Sequence, residues 1–65
     1  MYHNNIKQYR KEKNMNLEQM AKRVGISTGY LCHLERETRK NPSTKIMGKI
    51  AEILEKSVVE IFFEE

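Results

Sequence analysis

Between Thr28 and Arg36 the chain sets a hydroxyl, a thiol, an imidazole and a guanidinium at spacings that an α-helix gathers on one side. With Leu31 and Leu34 turned inward, a rotation of about 100° per residue brings Gly29, Cys32, His33 and Arg36 to the opposite side, with Thr28 at the leading end. These groups are suited to hydrogen bonding along a partner's surface. They are poorly suited to breaking bonds. His3 and His33 are the only histidines, Asp is absent, and Gly25, Gly29 and Gly48 are scattered rather than grouped into a phosphate-cradling loop. Cys32 and His33 are neighbours in sequence, so on a helix they diverge and make a poor metal pair. No cofactor, metal site or enzymatic activity is expected.

Each of these residues has two readings. Thr28 meets a base or a thymine methyl, or it is an ordinary first-turn residue. Gly29 lets the backbone approach a ligand, or it is merely tolerated. His33 donates to a base acceptor or a phosphate, or it is solvated; Cys32 touches the groove or is partly buried. At the edge of the face, the Tyr30 hydroxyl holds a phosphate or its ring packs on the core. Arg36, Arg39 and Lys40 reach phosphates beside the helix, or form a solvated cluster that offsets the helix dipole.

The distribution of charge favours the binding readings. The net charge of +3 hides an uneven split: residues 1–45 hold ten Lys or Arg against four Glu, while residues 46–65 hold two Lys against five Glu. A polyanion is drawn to the first part and repelled by the last. At 65 residues the chain is expected to form one domain, with no room for a small-molecule effector site. Cys32, the single cysteine, has no disulfide partner, and neither a signal peptide nor an apolar run of roughly 18 residues is present. A cytoplasmic protein without membrane contact is expected.

Five helices must position the face. The first is predicted over residues 5–13, with Tyr2, Ile6 and Tyr9 on one side and basic residues on the other. The second runs over 17–24, its apolar stripe formed by Leu17, Met20, Ala21 and Val24; Asn16 caps it, Gln19 completes a capping box, and Gly25 ends it in the left-handed conformation. Only Ile26 and Ser27 precede the third helix, so the two cross steeply around a tight turn, with small Ala21 allowing close approach. The polar stretch 36–41 reads as a loop or a frayed helix end, stopped at Pro42. Ser43 or Thr44 caps a fourth helix carrying Ile46, Met47, Ile50, Ala51, Ile53 and Leu54. Ser57 and Glu60 form a capping box for a short fifth helix.

That last helix has more apolar surface than a monomer needs. Val58, Ile61 and Phe62 account for its inward stripe, which leaves Val59 and Phe63 as an additional pair at i, i+4. Either they mediate a symmetric dimer, spacing two recognition helices about 34 Å apart on a palindromic duplex, or they fold back onto the core.

From Ile6 to Phe62 the sequence resembles the Cro and phage-repressor helix-turn-helix family, the XRE family. The segment LEQMAKRVGISTGYLCHLER, Leu17 to Arg36, carries the resemblance, with NPS at Asn41 to Ser43, KIAEIL at Lys49 to Leu54 and SVVEIFF at Ser57 to Phe63. The resemblance implies an all-α, compact five-helix bundle of the lambda-repressor type, helices two and three forming the helix-turn-helix unit over residues 17–36. It also implies double-stranded DNA as partner and, as function, operator binding that represses or activates transcription; together with the apolar pair on helix five, a homodimeric repressor is expected. It further implies a partly buried pair between Arg10 and Glu35. Where the family often has Gln at the start of helix two, Leu17 stands here and offers a phosphate only its main-chain amide.

Two other classes compete. A protein-interaction module on the same scaffold, such as an antitoxin or a mobile-element accessory factor, would present an apolar groove rather than a basic third helix. A small nuclease would need a carboxylate cluster or a metal-spaced His pair, which the sequence lacks.

Overall fold

Side-chain oxygens start most of the helices of this chain. The computed structural model describes residues 4–36 and 42–63, and within them five helices follow in order: α1 (Ile6–Glu12), α2 (Leu17–Val24), α3 (Thr28–Glu35), α4 (Thr44–Leu54) and α5 (Val58–Phe62). The Asn16 side chain accepts from the Gln19 amide at 2.7 Å, and the Gln19 side chain accepts from the Asn16 amide at 2.8 Å. Ser57 and Glu60 repeat this reciprocal arrangement at the start of α5, both bonds at 3.0 Å. Ser27 caps α3 and Ser43 caps α4, so Thr44 is the first helical residue rather than the cap. Such caps satisfy amides that the helix itself cannot pair, and each contributes about 1 kcal/mol.

The helix ends are equally well marked. Gly25 adopts φ +89°, and the Ile26 amide donates back to the Ala21 carbonyl at 3.0 Å. The same closure follows α1, where Asn14 has φ +58° and Met15 donates to the Arg10 carbonyl, and α4, where Glu55 has φ +57° and Lys56 donates to the Ala51 carbonyl. This six-to-one bond is the Schellman motif, built around one left-handed residue. Glycine is the easy occupant of that conformation; Asn14 tolerates it, while Glu55 adopts it at some conformational cost.

The core draws on every helix: Ile6 from α1, Met20, Ala21 and Val24 from α2, Leu31 and Leu34 from α3, Ile50 and Leu54 from α4, and Ile61 and Phe62 from α5. Burying each of the larger side chains contributes about 1.5–3 kcal/mol. Ala21, almost wholly buried, lies on α2, which packs against both α3 and α4, while α1 rests on α3, α4 and α5. The first helix is one residue shorter at each end than predicted, and Tyr2 lies outside the described residues. Its outward side is not uniformly basic: Lys7 and Lys11 are exposed, whereas Arg10 is buried.

A clasp absent from the sequence reading joins the ends of α1 and α4. Lys13 pairs with Glu55, and the Lys56 ammonium stands 4.9 Å from the centroid of the Tyr9 ring, within cation–π range. The Lys13 ammonium holds the Glu55 carboxyl below its ordinary range.

Candidate nucleic-acid interface

The turn between α2 and α3 consists of Gly25, Ile26 and Ser27. Its left-handed glycine ends α2 abruptly, and the Ser27 cap starts α3 immediately afterwards. Met20, Ala21 and Val24 on one side and Leu31 and Leu34 on the other then fasten the two helices to a shared core. The outer face of α3 is left in solvent.

That face holds most of the predicted residues. Thr28, Gly29, His33 and Arg36 are all exposed, Cys32 is half-buried at the margin, and Tyr30 is 40% exposed. Tyr30 therefore neither packs fully nor stands free, and its hydroxyl can reach outward. An ideal Cβ built on Gly29 would meet no neighbouring atom within 4 Å. The protein's own packing thus gives no reason for glycine there. Arg39 and Lys40 lie outside the described residues. Leu17 is the first residue of α2, half-buried against the core, and its amide belongs to the first turn, where no intrahelical acceptor exists. Lys22 and Arg23, exposed in the last turn of α2, add positive charge to the same helical pair.

Behind α3 lies its fastening to α1. Arg10 donates from Nε to Glu35 Oε2 at 2.6 Å and from Nη2 to Glu35 Oε1 at 3.1 Å. Its remaining nitrogen, Nη1, donates to the Met15 carbonyl at 2.8 Å. One guanidinium thus ties the C-terminal end of α3 to the segment that leads into α2. The predicted pair is present, and it is more deeply buried than expected, with side-chain exposures of 8% and 7%.

A family model described as helix-turn-helix matches residues 6–61, nearly the full described span. The chain belongs to the XRE-type helix-turn-helix family. Among XRE-type relatives, the HTH-type transcriptional regulator SinR of Bacillus subtilis (strain 168) is 42% identical over 53 residues, covering 82% of this chain and 48% of SinR. The chain therefore spans about half the length of that relative. An HTH-type transcriptional regulator of Archaeoglobus fulgidus is 39% identical over 61 residues, covering 92% of this chain and 84% of its own. A crystal structure of SinR, described as the master regulator for biofilm formation in complex with DNA, superposes with a TM-score of 0.73 at 42% identity, covering 82% of this chain and 84% of that one. The all-α architecture is that of these helix-turn-helix neighbours. The XRE-type family and these relatives are regulators rather than enzymes.

Among the described residues of this XRE-type chain, no three His, Cys, Asp or Glu side chains gather as a metal site, and no helix is long and apolar enough to cross a membrane. Sequence reasoning missed Asn4. This residue is buried, accepts from the Ile6 amide at 3.0 Å and donates from its side-chain nitrogen to the Leu34 carbonyl at 2.7 Å. An Asn just ahead of a helix signals a cap, but nothing local reveals a bond to a residue thirty positions away.

Proposed function

We propose that this chain binds double-stranded DNA and regulates transcription, with α3 entering the major groove. The observation that carries the reading is the exposed, polar outer face of α3, where Thr28, Gly29, His33 and Arg36 stand clear of the core on a helix held rigidly from behind. In this reading Thr28, Cys32, His33 and Arg36 contact base edges or the groove, and Gly29 allows the backbone close to the duplex. The Leu17 amide, Tyr30, Arg39 and Lys40 hold phosphates on either side. The basic excess of residues 1–45 supplies the long-range attraction. SinR's occurrence in a complex with DNA supports the same reading by likeness.

The regulator acts as a homodimeric repressor on a palindromic site. Val59 and Phe63, 56% and 58% exposed, form the apolar contact between copies. The test is a titration against random duplex DNA at several salt concentrations, followed by sequencing of the tightest-bound fraction. Enrichment of a motif with two half-sites supports a dimeric sequence-specific regulator. Salt-sensitive binding without enrichment rules out sequence specificity, and absence of binding at low salt overturns the DNA reading.

A further inference from the structure

The third helix ends differently from the helices around it. Helices α1, α2 and α4 close through a left-handed residue followed by an amide that bonds to the carbonyl five residues back, but after α3 Arg36 continues in extended conformation, φ −79° and ψ 162°. The Arg36 amide donates only to the His33 carbonyl, at 3.3 Å. The last carbonyls of any helix need a partner from outside. For Leu34 that partner is the Asn4 side-chain amide, 2.7 Å away in a buried position.

Asn4 is itself fixed from two directions. Its side-chain oxygen accepts from the Ile6 amide at the start of α1. Next to it, the Asn5 amide donates to the Ile61 carbonyl at 2.8 Å and the Asn5 side chain donates to the Glu60 carbonyl at 2.9 Å. Residues 4 and 5 are therefore a strap running from α5, past the start of α1, to the last turn of α3. That turn carries His33 and Arg36 on its outer side.

We propose that Asn4 is a positioning residue for DNA recognition: by holding the Leu34 carbonyl, it sets where the last turn of α3 carries His33 and Arg36. The inference rests on the DNA-binding reading above. Thr28, at the other end of α3, is positioned by the Ser27 cap and does not depend on the strap. Asn4 thus governs one half of the recognition surface.

The decisive variant is Asn4→Asp, which keeps the acceptor for the Ile6 amide and loses the donor to Leu34. Asn4→Ser, whose hydroxyl is too short to span to Leu34, is the second variant should the carboxylate prevent folding. Affinities of the full chain are measured, at a temperature where each variant is folded by circular dichroism, on a panel of duplexes with single base-pair changes. The base pairs read by His33, Arg36 and Thr28 are first identified from their alanine variants. Discrimination at the His33 and Arg36 base pairs should fall about fivefold or more, while discrimination at the Thr28 base pairs stays within about twofold. In the free protein, amide resonances of residues 33–36 should move and those of residues 28–30 should not. Uniform weakening across the panel, or unchanged discrimination, overturns the proposal alone. If the wild-type chain binds no duplex at low salt the DNA reading fails, and if it binds without discriminating base pairs its sequence specificity fails; the proposal falls with either.

Discussion

Arg10 and Glu35 face each other through two hydrogen bonds, Nε to Oε2 at 2.6 Å and Nη2 to Oε1 at 3.1 Å, with both side chains nearly removed from water. Their geometry decides what substitution will do. Removing charged groups from water is expensive, and that expense is offset only while both partners are present. Glu35→Leu or Arg10→Met alone should therefore cost about 3–5 kcal/mol, a large share of the stability of a folded unit of this size. The Arg10→Met, Glu35→Leu double variant should be closer to wild type than either single change. Urea denaturation of the four proteins in a cycle measures the coupling, and additive losses would contradict it.

The left-handed turn at Gly25 makes a different kind of demand. A Cβ at this position would touch nothing within 4 Å, yet φ is +89°, so the obstacle to a side chain is conformational rather than steric. Gly25→Ala should destabilise by about 1 kcal/mol. A larger loss in a denaturant midpoint series would point to a collision that the structure does not contain.

At Gly29 the expectation reverses. The site is an exposed, ordinary helical position with open space around it, so Gly29→Ala should raise stability by about 0.5–1 kcal/mol. If the helix backbone approaches the duplex there, the same variant should lose DNA affinity. A thermal melt and a binding isotherm on one sample separate the two effects, and a variant improved in both would remove Gly29 from the interface.

His33 and Lys40, the one proposed to read a base and the other to hold a phosphate, should fail in distinguishable ways. His33→Ala should relax discrimination at one base pair by about 1–3 kcal/mol. Lys40→Ala, where the proposed contact is to phosphate, should weaken all sequences alike and reduce the slope of log K against log salt by about one. Titrations at four salt concentrations on matched and mismatched duplexes test both.

At the start of α5, the backbone amide and side chain of Ser57 hold the Glu60 carboxyl below its ordinary range. A folded-state value below the unfolded one contributes stability that is present above the unfolded value and is lost as pH falls through the folded one. Carboxyl-carbon NMR should find Glu60 titrating below an unperturbed glutamate. Ser57→Ala, which keeps the amide, should shift it only part of the way back.

The short-range devices were legible in the sequence because they are written in neighbouring residues. Asn16 with Gln19, Ser57 with Glu60, and Gly25 after an apolar stripe each announce a helix boundary within four positions. The i, i+3, i+4 spacing likewise separated buried Ile61 and Phe62 from exposed Val59 and Phe63. The Arg10–Glu35 pair was reached through family resemblance, since a charge on helix one carries no mark of its partner. Nothing announced the left-handed Glu55, the Lys56–Tyr9 stacking or the Asn4–Leu34 bond, which depend on distant segments meeting. Arg39 and Lys40, expected at phosphates, lie outside the described residues.

The hydrogen bonds from Asn5 to Glu60 and Ile61 join positions 55 residues or more apart, and this bears on the order of folding. Closing so long a loop costs chain entropy before the contact returns anything, so helices linked by short turns assemble first and the closure comes late. Substitutions at Asn5 and Ile61 should accordingly speed unfolding while leaving the folding rate nearly untouched. On a ribosome the nascent chain must release α5 before its first residues can lock, so α3 acquires its final support only after α5 has emerged.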